Sequence, residues 1–304
     1  MSGRREGSPV GRSHGWPPPP PRGRRAAWSG PPRRGAGFTL IEVVMVIVVT
    51  GIVTAASAAF IAGPVSAYYA TVRRAYLADS ADLALRRFAR EIESALPNSV
   101  RLTTVGGATY IELIPTVTAG HYRSAPDPVN GYATLDFSSA TGNSFQVVGP
   151  YDVPAVGSQL VIFNLGPGVG SSDAYAGTNR RAVTAVNTVA NTITYSLSGG
   201  QFPYASPSDR YFVVNSATTY VCDPLGGTLA RYSGYAIQSN QPTSTAGAPL
   251  ASATRGVLAQ DVTSCSISLT QVFQSKALVT IYLTLASGPD SLSFYEEAHV
   301  PNVP

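Results

Sequence analysis

The sequence predicts an α+β fold. A long N-terminal helix, half of it membrane-spanning and half amphipathic, packs on a head of antiparallel β-sheet. Three observations carry this prediction. Residues 38–65 form a membrane-length apolar segment containing one charge, Glu42. Residues 66–96 continue with apolar residues at helical spacing. From Asn98 onward the chain turns to Thr, Ser, Val, Tyr and Gly, with turn signals at strand-like intervals.

The charge is unevenly spread over the 304 residues. Residues 1–37 hold eight arginines and one glutamate (+7), whereas the remainder holds thirteen basic and sixteen acidic residues (−3). The overall +4 therefore comes from the tail, and no nucleic-acid surface is expected on the head. The tail, with its run GWPPPPPRGRR, has polyproline character and little apolar residue content to build a core. At 28 residues the segment 38–65 exceeds the ~20 needed to cross a bilayer. The arginines before it predict a cytoplasmic N-terminus, with the bulk of the chain on the far side of the membrane. Gly51 and Gly63-Pro64 are positions where the helix could bend.

Along 66–96, Leu77, Ala81, Leu85, Phe88, Ile92 and Leu96 line one face, while Arg86, Arg87, Arg90 and Glu93 fall elsewhere. Asp82 and Arg86 make a favourably oriented i,i+4 pair. Pro97 ends the run. A continuous helix from Phe38 to Leu96 would be about 90 Å long. Three hairpins are predicted: VRLTTVGGATYIELIP turning at Gly106-Gly107, RAVTAVNTVANTITYSL, and TTYVCDPLGGTLARY turning at Pro224 to Gly227. Near the C-terminus Cys265, Ile267 and Leu269, and then Val279, Ile281, Leu283 and Leu285, alternate with polar residues, as in a sheet with one apolar face. Residues 166–177 read as a loop. Three parts follow: a leader (1–37), a helix (38–97) and a β-rich head (98–304).

A carboxylate near the bilayer centre costs about 2.5–3.5 kcal/mol, and no basic residue lies between Phe38 and Val72. Cutting the chain between Gly37 and Phe38 would supply a counter-charge, an α-amine with a pKa near 8. Glu42 would then be the fifth residue, one turn from its own amine and, in a bundle, from that of a neighbouring copy. Such a pair would set the register of assembly.

The run GFTLIEVVMVIVV resembles the type IV prepilin signature: Gly before the cut, an aromatic after it, Thr-Leu-Ile-Glu, then a long apolar stretch. The leader is longer than is usual in that family. The resemblance implies cleavage after Gly37 by prepilin peptidase, N-methylation of Phe38, and a sheet-bearing head packed on the outer half of the helix. A finer resemblance rests on TYVCDPLGGTLARYSGYAI, VLAQDVTSCS, LVTIYLTLASG and EEAHVPNVP. These stretches are similar to minor pilins of mannose-sensitive haemagglutinin (MSHA) biogenesis, of the MshO kind. It implies a low-abundance pilus component that primes or caps assembly. Implied partners are other pilins or pseudopilins, prepilin peptidase, an inner-membrane assembly platform and membrane lipid. The implied location is the bacterial inner membrane with a periplasmic head, then the pilus. Residues 140–215 match least.

Two other arrangements compete: a secretory signal peptide cut at Ala56-Ser57-Ala58, and an uncut anchor displaying a binding domain. A type II secretion pseudopilin is a third alternative, within the same signature. Cys222 and Cys265 are the only cysteines. They form a disulfide if the head is exported, worth about 4 kcal/mol by loop entropy, or else stand as two buried thiols. No catalytic motif, cofactor fingerprint or metal-ligand spacing is present, so neither enzyme chemistry nor a cofactor is expected. His14 in the leader, His121 in a predicted loop and His299 near the C-terminus read as surface residues, as do Asp127 and Glu296-Glu297.

Overall fold

The computed structural model describes residues 37–273 and 276–304. Apart from Gly37, the expected leader lies outside these residues. They divide into two units, one ending at Phe60 and one covering Ile61–Pro304.

The first unit holds the start of the helix α1, Leu40–Glu93. Every residue from Gly37 to Phe60 is exposed. For a run of Val, Ile, Leu and Met this fits a lipid-facing surface and no aqueous one. Thr50 and Thr54 direct their hydroxyls back to the carbonyls of Val46 and Thr50. Their polar atoms are thereby satisfied within the helix, as lipid requires.

Among its described residues the second unit contains the rest of α1 and fourteen strands: β1 (Arg101–Val105), β2 (Ala108–Leu113), β3 (Thr116–Tyr122), β4 (Ser144–Val148), β5 (Gln159–Ile162), β6 (Arg180–Asn187), β7 (Thr192–Tyr195), β8 (Arg210–Val214), β9 (Ala217–Asp223), β10 (Thr228–Tyr235), β11 (Thr254–Gln260), β12 (Val262–Phe273), β13 (Lys276–Ser287) and β14 (Asp290–Pro301). They build a five-stranded sheet in the order β1-β2-β9-β10-β11, a three-stranded sheet β12-β13-β14, and a closed barrel β3-β4-β7-β6-β5-β8. Every strand pair is antiparallel. The fold is α+β, a long apolar helix packed on antiparallel sheets.

Leu77, Ala81, Leu85, Phe88 and Ile92 are buried, as their spacing predicts. They share one core with Ile111, Tyr220 and Leu229 of the larger sheet and Val279, Ile281, Leu283 and Leu285 of the smaller. Phe88 meets Tyr220 edge to face, 5.1 Å between centroids. The disulfide Cys222–Cys265 ties β9 to β12, joining the two sheets beside this core. Arg86 and Asp82 form the expected pair at 2.7 Å. Arg73 and Arg74 converge on Asp290 at the start of β14, each at 2.8 Å, and fasten the β13–β14 turn to the helix. The Arg73 hydrogen bond holds the Asp290 carboxyl below its usual range.

Four details differ from the sequence reading. The helix stops at Glu93, not Leu96. The Leu96 amide donates to the Ile114 carbonyl at 2.8 Å, and Ala95 bridges Pro115, so the chain is drawn into sheet pairing before the proline. Gly63-Pro64 lies inside the uninterrupted helix, where the Ser66 hydroxyl donates to the Gly63 carbonyl at 2.8 Å. His121 sits on β3 rather than in a loop, and remains exposed. Leu269, expected on the buried face, is exposed, while Ile267 is buried. The three predicted hairpins form as β1–β2, β6–β7 and β9–β10. Gly106 and Gly107 carry φ of 62° and 84°, the pair of positive angles a tight hairpin turn of this hand needs.

The barrel has its own core, including Tyr122, Phe145, Tyr195, Phe202 and Tyr211. Gly120 is fixed by this packing: a Cβ there would fall 2.7 Å from the Tyr211 hydroxyl oxygen and 2.9 Å from its ring. The ring is fully buried, so its displacement would disturb the barrel core. Gly120→Ala is therefore expected to cost about 1–3 kcal/mol, read as a lowered urea midpoint with native spectra retained.

Candidate functional site: the N-terminal junction and first turn

Among the described residues, nothing lies within 4 Å of where a Gly37 side chain would begin. Phe38 is 78% exposed, so the bond between them is open to approach. Two residues on, Thr39 caps the helix. Its carbonyl accepts from the amides of Glu42 (3.1 Å) and Val43 (3.2 Å). Its hydroxyl accepts from the Glu42 amide at 3.3 Å. A hydroxyl residue followed three positions later by glutamate is the sequence signature of a capping box, of which the Thr39 hydroxyl forms its half. The sequence reading assigns Glu42 to pairing with a freed amine; the spacing Thr39-Leu40-Ile41-Glu42 also marks a helix start, which that reading does not use. At this position the carboxylate faces the positive end of the helix dipole, which stabilises it by a few tenths to about 1 kcal/mol.

That does not supply a full counter-charge. Among the described residues, no guanidinium or ammonium lies within 4 Å of the Glu42 carboxylate. The structure thus brings Gly37, Phe38, Thr39 and Glu42 together at one helix start. Thr39→Val is expected to remove the cap and cost about 1 kcal/mol locally, measurable as faster amide exchange at Glu42 in micelles.

The other singled-out residues do not join this group. His121 contacts the Ser208 carbonyl at 2.9 Å on the barrel, and His299 lies exposed on β14. Asp127 accepts from the Val129 and Asn130 amides in a turn. No group of three or more potential metal ligands occurs among the described residues.

Residues 32–58 match the family described as "Prokaryotic N-terminal methylation motif". The chain carries a type IV prepilin-like signal. The match covers the junction, the cap and the first turns of α1, and leaves the head undescribed. No curated protein and no solved structure matches the chain. With the signal, the membrane-length helix and the sheet-bearing head, the features are those of a pilin-like membrane-anchored protein.

Proposed function

We propose that this chain is a minor pilin or pseudopilin subunit of a type IV, MSHA-like filament. It docks through α1 and helps initiate or cap assembly, and it is structural, without catalysis. The observation that carries the reading is the methylation motif at 32–58 joined to a capped apolar helix start that is exposed from Gly37 to Phe60. Prepilin peptidase cuts after Gly37, and Phe38 is N-methylated. Before assembly the subunit sits in the inner membrane, its N-terminus cytoplasmic and its head periplasmic. On assembly the apolar half of α1 exchanges lipid for neighbouring helices. Apolar burial is similar in both, so packing and the pairing of Glu42 with a freed amine decide register.

Intact mass and N-terminal peptide mass of the chain recovered from membranes test this directly. The expected start is a methylated Phe38; a start near Ala59, or an uncut chain, would overturn the reading. Glu42→Ala should insert and be cut normally. It should enter filaments about tenfold less, the equivalent of losing about 1.4 kcal/mol of docking energy.

A further inference from the structure

The larger sheet ends at β11, which pairs with β10 alone. Among the described residues the outward amides and carbonyls of β11 therefore have no strand partner. Residues Thr254 to Val257 are also exposed, so this half-strand buries almost nothing of its own. The register slips beside Leu229/Ala230 and leaves Leu258 as an extra residue in β11. A groove of about 740 Å³ separates Val257 and Leu258 from the helix. The helix side is formed by Leu83, Ala84, Arg87 and Arg90, with Glu91 and Ser94 at the end. Leu83 is 69% exposed on an otherwise charged face. Glu91 is neutralised twice, by Arg87 at 3.2 Å and Arg231 at 2.8 Å. Among the described residues Arg90 meets no carboxylate; its Nε donates to the Arg86 carbonyl at 3.5 Å. The groove thus combines an open strand edge, an apolar floor and a cationic rim.

We propose that this groove receives an extended, acidic segment of another protein, which adds to β11 as a sixth strand. Main-chain hydrogen bonds to β11 would supply affinity. Apolar side chains would alternate onto Leu83, Val257 and Leu258, and carboxylates would face Arg87 and Arg90. The chain's own leader is unsuited, because its arginines would meet arginines. The proposal does not depend on how the N-terminus is processed.

The probe is a fluorescein-labelled octapeptide alternating Val and Glu, titrated by anisotropy into the full chain in detergent micelles. Saturable binding is expected. It should weaken about tenfold or more in the Arg87→Glu/Arg90→Glu variant. It should also be lost when alternate amides of the peptide are N-methylated. A Val-Lys peptide should fail on the wild type and bind the double variant, which shows that the variant is folded. Absence of binding at millimolar peptide, or indifference to N-methylation, overturns strand addition. Sedimentation of the chain alone as a dimer that Val257→Arg dissociates would overturn the heterologous partner, since a second copy would then occupy the groove.

Discussion

Gly37→Glu is expected to abolish removal of the first 37 residues. The full-length chain would accumulate in the membrane as an unshifted band. Glycine leaves the backbone at the junction bare, with none of the described residues within 4 Å of its Cβ position, and a protease must approach that backbone closely. Glutamate adds bulk and charge at that bond. It leaves the helix untouched, because α1 is capped two residues later by Thr39. Gly37→Ala is the control: small enough to be cut, it should give the processed band. A Gly37→Glu chain that still begins at Phe38 would sink the processing mechanism. An uncut chain also frees no amine, so Glu42 would lack its partner. The variant should therefore be absent from filaments even though it inserts normally.

The second large effect lies in the head. Arg101→Ala is expected to cost about 3–5 kcal/mol, because it strands a buried carboxylate. Glu112 is fully buried on β2, and Arg101 Nε donates to its Oε2 at 2.6 Å. Tyr235 donates its hydroxyl to Oε1 at 2.9 Å. The same guanidinium donates to the Gln238 and Ser239 carbonyls and lies 3.6 Å over the Tyr175 ring. Burial raises the Glu112 carboxyl above its ordinary value, opposed by Arg101. Its folded-state proton affinity thus exceeds that of the unfolded chain. Its contribution to stability is fully present below the unfolded value and is lost as pH rises through the folded one. Removing Arg101 raises the folded value further, so the variant's deficit should grow with pH. Urea unfolding at pH 5 and pH 8 measures it; equal deficits at both would refute the assignment to Glu112.

These two sites differ in how much of them the sequence discloses. The junction is written locally: Gly37-Phe38, Thr39 and Glu42 are neighbours, and the cap follows from a spacing of three residues. The amphipathic half of α1 is equally legible, because Leu77 to Ile92 bury on the stripe their period defines. Its last turn was misread, since pairing of Leu96 with Ile114 is a tertiary contact that spacing cannot carry. Glu112 could have been found. With the turn fixed at Gly106-Gly107, Arg101 falls opposite Glu112 in register, though its full burial depends on Tyr235 and Tyr175, far along the chain. The barrel was not legible. Its strands β4, β5 and β7 are four or five residues long. Closure depends on β3 pairing with β8, some ninety residues away. The same distance hides the groove beside β11, because an open edge is visible only once all other pairings are assigned.

The barrel leaves the larger sheet after β2 and returns at β9, and these two strands are paired with each other, Leu113 opposite Thr218. Its entry and exit points are therefore one strand spacing apart, about 4.8 Å. A cassette spliced at such a point can be lengthened or exchanged without shifting the register of its host strands. The barrel also covers that sheet, with Tyr175, Phe212 and Val214 in one core with Tyr110, Val221 and Tyr232, so selection can exchange the module only for another that shields the same face, and a short turn grafted from Ile114 to Ala217 would leave the platform's apolar side bare.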